Sequence, residues 1–159
     1  MSKKHLFNTQ LEWVGTNGKG TADYKAYSRN HIITGNGKTP IPCSSDPVFM
    51  GDGTRYNPEE LLVASLSGCH MLWYLHLCSD AGVVVTGYTD NASGTMEESP
   101  DGKGKFTEVT LNPTVIVKNQ QMTDMALQLH NKAHEMCFIA NSCNFPVHHK
   151  PVIKVEPGE

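Results

Sequence analysis

The sequence predicts an α+β fold, and three observations carry that prediction. An Asn57-Pro58-Glu59-Glu60 run opens a nearly continuous apolar segment that reaches Gly82. A second helical pattern occupies TDMALQLHNKAHEM. Short β-branched and aromatic runs, punctuated by Gly, Asn and Pro, stand before, between and after the two. The order is strands, helix, strands, helix, strand.

Taken in order, residues 5–50 read as a β-meander: LFNTQLEWVG, the turn TNGKG, the run TADYKAYSRNHIIT, and then GNGKTPIP. In the second run a period of two places Tyr27, Arg29 and His31 on one face. Asn57 then acts as an N-cap, with Pro58 in the first helical position and acids in the first turn. The segment LLVASLSGCHMLWYLHLCSDAG is apolar on nearly every side, the pattern of a buried central helix that ends near Gly82. Helical spacing groups Cys69 with Leu62, Ser65 and Trp73.

VVVTGYTDNASGTME and KFTEVTLNPTVIVK read as strands, and the polar loop ESPDGKGK between them is the strongest hairpin signal in the chain. Thr123 or its neighbour caps the second helix. Met125, Leu129, Ala133 and Met136 form its apolar stripe, and Cys137 closes it. NFPVHHKPVIKVEPG is expected to be a loop and one last short strand.

A length of 159 residues with no compositional shift predicts one domain over residues 1–159. Thirteen basic and sixteen acidic residues give a formal charge of −3, with the lysines dispersed, so no footprint for nucleic acid appears. The start, MSKKHLFNTQLEW, has no apolar run behind its basic residues, and the apolar stretches read as too short and too interrupted to span a bilayer. The expected location is the cytoplasm. Five cysteines, an odd number without a dense framework, suit a reducing compartment where thiol chemistry is catalytic or redox-sensing.

Cys69 lies between Gly68 and His70 in the first helix, and Cys137 ends the second. A buried cysteine is by default a small hydrophobe, and a reactive one needs a cation or hydrogen-bond donor to form the thiolate. Arg29 and Arg55 are the arginines available for that task. His130, His134 and Cys137 have the spacing of a zinc ligand set, but Leu129 and Ala133 claim the inward side of that helix, so surface histidines are the simpler reading. No metal and no organic cofactor are expected. Cys43, Cys78 and Cys143 receive no role, although Cys143 is near enough in sequence to compete as a resolving thiol.

NPEELLVASLSGCHMLWYLHLCSDAGV resembles the central helix of the osmotically inducible protein C and organic hydroperoxide resistance superfamily. HEMCFIANSCNFPV resembles that family's second cysteine segment. The resemblance runs from about residue 10 to the end and implies antiparallel sheets around two long central helices in an intertwined homodimer. It also implies a thiol-dependent peroxidase in which Cys69 attacks an organic hydroperoxide and Cys137 forms the disulfide. Glu59 would hold an arginine against the thiolate, with Arg29 preferred to Arg55, and two chains would share each site. An external dithiol, of lipoyl type for example, would regenerate the enzyme. A small-molecule-binding or redox-sensing protein on the same fold is the alternative.

Overall fold

The computed structural model describes residues 3–158. The chain divides into two compact units, one ending at Leu61 and the other beginning at Leu62. The division falls inside a helix and not at a linker.

In the first unit, β1 (Gln10–Trp13), β2 (His31–Thr34) and β3 (Ile41–Cys43) form an antiparallel sheet in the order β1-β2-β3. Residues 21–30 fold as turns, so the strand face expected to carry Tyr27, Arg29 and His31 does not exist as such. The backbone is instead held by the Trp13 indole, which donates to the Ser28 carbonyl at 2.8 Å, and by the Ser28 amide bonded to Gly15. A short 3₁₀ turn, Pro47–Phe49, is capped by the Asp46 carboxylate, which accepts from the Val48 amide.

The first long helix, α1 (Pro58–Asp80), begins with a reciprocal capping box. Asn57 Oδ1 accepts from the Glu60 amide at 2.8 Å, and Glu60 Oε2 accepts from the Asn57 amide at 3.1 Å. At the other end the Val83 amide reaches back to the Cys78 carbonyl, and Gly82 takes φ +71°. By length and composition α1 could cross a membrane, contrary to the sequence reading, because Ser65, Ser67 and Gly68 interrupt the apolar run without making it polar. It nevertheless buries Leu66, His70, Tyr74 and Cys78, one residue per turn, in the protein interior. Burial is confined to that stripe, and Leu72 on another face is 66% exposed.

The second unit continues with β4 (Val85–Asp90), β5 (Ser93–Glu98), β6 (Gly104–Leu111), β7 (Pro113–Val117), α2 (Thr123–Met136), β8 (Val147–His149) and β9 (Val152–Val155). Two sheets result, β4-β7-β9 and β5-β6-β8. The β5–β6 hairpin turns at ESPDGKGK as expected, but each sequence run flanking that loop splits into two strands. The sheets are mixed and not purely antiparallel, since β6–β8 and β7–β9 are parallel pairs. The crossover through α2 returns the chain in its original direction, and parallel pairing follows. Alternation along β7 buries Pro113, Val115 and Val117.

Val115 and Val117 pack with Tyr74, Cys78, Ala126 and Ala133, while Leu66, Val109 and Leu111 form a second cluster. The inward stripe of α2 is Ala126, His130 and Ala133; of the expected series Ala133 is buried and Leu129 packs against the core, while Met125 is 45% exposed. A helix buries what its neighbours leave room for, and small residues let α2 approach closely.

Candidate active site

Cys69 is half-buried in the middle of α1. Cys137 is buried immediately after α2, where the backbone leaves helical geometry at φ −68°, ψ 107° and its amide bonds the His134 carbonyl at 3.3 Å. Both belong to the second unit, and the Cys69 thiol lies near enough to raise that of Cys137. All five cysteines are free thiols.

Burial pushes the Cys137 thiol up to about 11; the Ala140 amide, which donates to its sulfur at 3.5 Å, pulls it down, and the Cys69 thiol raises it further. The Trp73 and Phe138 rings meet edge to face at 5.5 Å, each four residues or fewer from one of the cysteines. Cys143 bonds its own turn instead, donating to the Ile139 carbonyl at 3.3 Å.

His130 departs from the expectation of a surface histidine, and it meets His70 of α1. Both are buried, and His70 Nε2 lies 2.9 Å from His130 Nδ1. The ring planes differ by 8° with centroids 5.3 Å apart, so the bond runs head-on within a common plane. His149 is close to both rings, at 5.5 Å and 6.2 Å between centroids, and Tyr74 stacks on His130 at 3.9 Å. Burial, followed by the neighbouring histidines, lowers His70 to about 4 and His130 to about 3. The pair is therefore neutral at pH 7.

Nothing in the residue pattern of α2 marks His130 as buried. The only sequence signal for the pair is that each histidine shares a helix with one of the cysteines. Among the described residues, no group of three or more His, Cys, Asp or Glu is arranged to hold a metal ion. Nitrogens that face each other head-on do not converge on a third point, as ligands must.

The other candidates lie in the first unit. Arg29 is clamped: its guanidinium donates to the Tyr24 and Tyr27 carbonyls at 2.7 Å each and lies 4.2 Å from both tyrosine ring centres. The grouping of Tyr27 with Arg29 is thus real but comes from a turn and not from strand alternation. Arg55 pairs with Asp52 at 3.3 Å. Glu59 is half-buried, and among the described residues no ion pair joins it to either arginine. A cavity of about 370 Å³ opens beside Trp13, Tyr27, Arg29, His31 and Pro58.

Residues 51–151 match the family model for OsmC-like proteins. Among solved structures, an OsmC-like protein of unknown function from Vibrio cholerae is 30% identical, with a TM-score of 0.84 over 94% of this chain and 100% of that one. An organic hydroperoxide resistance protein from Legionella pneumophila shares 22% identity at a TM-score of 0.67, covering 96% of this chain and 100% of its own. A further organic hydroperoxide resistance protein, from Elizabethkingia anophelis, shares 19% identity at a TM-score of 0.66, covering 97% and 100%. The last two are likenesses of fold. No curated protein matches the chain.

Proposed function

The chain belongs to the OsmC-like family, and on that premise we propose that it is a thiol-dependent peroxidase that reduces organic hydroperoxides through Cys69 and Cys137. The observation that carries the reading is the nearness of the half-exposed Cys69 thiol to the buried Cys137 thiol, which it raises. The names of the Legionella and Elizabethkingia proteins, both organic hydroperoxide resistance proteins, agree with it.

In this reading the Cys69 thiolate attacks the outer peroxide oxygen. The O–O bond breaks, Cys69 becomes the sulfenic acid, and the alkoxide leaves as the alcohol after taking a proton. The Cys137 sulfur then displaces water from the sulfenic acid to form the disulfide. An external dithiol, of which a dihydrolipoyl group is one example, returns both cysteines to thiols and becomes a disulfide itself. Thiolate stabilisation is assigned to Arg29 oriented by Glu59.

The apolar sides of α1 outside the buried stripe support a homodimer as the working form, and five free thiols support a cytoplasmic setting. A redox-sensing protein with little turnover is the second reading, favoured by the engaged guanidinium of Arg29. Consumption of cumene hydroperoxide with dihydrolipoamide decides between them. Peroxidase turnover that disappears in Cys69→Ser supports the proposal, and an inert wild type refutes it.

A further inference from the structure

Two helices carry the cysteines, and their side chains meet in an ordered register. The Tyr74 hydroxyl of α1 donates to the Ala126 carbonyl of α2 at 3.1 Å, and one turn along, His70 meets His130. The α1 number falls by four as the α2 number rises by four, so the two run antiparallel at this contact. His70 directly follows Cys69, and His130 stands seven residues before Cys137. The imidazole pair therefore ties α1 to α2, one residue along the chain from Cys69 and seven from Cys137.

The tie is unlike the apolar contacts around it. Leu66, Ala126, Ala133 and Val115 pack without a preferred direction, whereas an N–H···N bond in a common plane fixes both distance and orientation. It is also a costly choice for stability alone. Each neutral imidazole has one donor and one acceptor, and the shared bond uses one nitrogen of each. The outer nitrogens, His70 Nδ1 and His130 Nε2, are buried without a protein partner. Two well-packed aliphatic side chains would avoid that penalty. A buried polar pair kept next to the site is better explained by geometry that the site needs.

We propose that the His70–His130 imidazole pair is a positioning device that sets the α1–α2 register and so favours the Cys69–Cys137 disulfide over the dithiol. This deepens the proposed function, and it rests on Cys69 and Cys137 being the redox pair. Neither histidine touches the reacting atoms. Their effect reaches the sulfurs through the helices that carry both.

The test is the equilibrium of the full-length protein with glutathione: protein dithiol plus oxidised glutathione gives protein disulfide plus two glutathione. No peroxide is involved, so a protein inert toward hydroperoxides fails the peroxidase reading while this measurement still stands or falls by itself. In His70→Leu/His130→Leu the equilibrium constant for disulfide formation should drop tenfold or more, about 30 mV in potential. His130→Asn puts an amide where Nδ1 stood and should stay within about threefold of wild type. A Leu/Leu variant within twofold of wild type overturns the proposal, as does a wild type that forms no Cys69–Cys137 disulfide in the redox buffer. Wild type also provides a check that needs no substitution. ¹⁵N spectra of its histidines should show coupling across the Nε2–Nδ1 hydrogen bond in both dithiol and disulfide forms, and its absence from both overturns the inference.

Discussion

The thiol of Cys137, buried at the end of α2, lies near enough to the thiol of Cys69 in the middle of α1 to be raised by it. Burial is the main cause that holds Cys137 at about 11, and the neighbouring thiol adds to it. The second cysteine is therefore protonated throughout the neutral range, and losing that proton is part of closing the disulfide. After a single turnover with peroxide, the rate of disulfide formation should keep rising between about pH 6 and pH 9. Stopped-flow fluorescence of Trp73 follows this step, and a plateau below about pH 8 would refute it.

Acid should unfold the second unit by way of its histidines. His70 and His130 have folded-state pKa values of about 4 and about 3, below the ordinary 6.5. The unfolded chain binds more protons than the folded one between those limits, so stability is complete above the unfolded value and is lost as pH falls through 6.5 toward 4. Each histidine should cost on the order of 2 kcal/mol by about pH 5. Urea titrations at pH 7.5 and pH 5 should show this loss, with most of it abolished in His70→Leu/His130→Leu. Equal midpoints at the two pH values would contradict the assignment.

Much of this arrangement was legible in the sequence, for local reasons. Asn57, Pro58 and Glu60 declare the start of α1 because capping chemistry is confined to a few adjacent residues, and ESPDGKGK declares its hairpin in the same way. The grouping of Cys69 with Cys137 came from family resemblance and not from spacing. His130 was hidden, because a histidine on a helix has no sequence mark that separates a solvated ring from one bonded to a residue sixty positions away. Residues 21–30 misled for the opposite reason. Their tyrosines have high strand propensity, but the Trp13 and Arg29 hydrogen bonds to backbone carbonyls stabilise turns there.

The N-cap of α1 should make a measurable contribution. Asn57→Ala removes the Oδ1 acceptor for the Glu60 amide while the backbone amide at position 57 still donates to Glu60 Oε2, at a cost of about 1 kcal/mol. Thermal denaturation should show a drop of a few degrees, and Asn57→Ser should recover most of it. An unchanged midpoint in the alanine variant would show that the cap is dispensable.

Gly51 sits so close to Ser45 that a Cβ would overlap the Ser45 carbonyl. The Gly51 amide also bonds the Asp46 carbonyl at 3.0 Å, which limits how far the loop can shift. Gly51→Ala should therefore loosen the first unit by more than 1 kcal/mol, within the usual range for a steric clash with backbone. Hydrogen exchange should report faster opening around residues 43–56, while β6 and β7 keep their protection. Uniform protection in the variant would count against this close approach.

The central claim is that Cys69 and Cys137 are one redox pair, and peptide mass spectrometry tests it most directly. Protein treated with one equivalent of tert-butyl hydroperoxide should lose two hydrogens and yield a single new cross-linked species joining the Cys69 and Cys137 peptides. Oxidation that leaves Cys137 alkylatable while Cys69 carries a sulfinic acid, or a cross-link from Cys69 to Cys143, would contradict it.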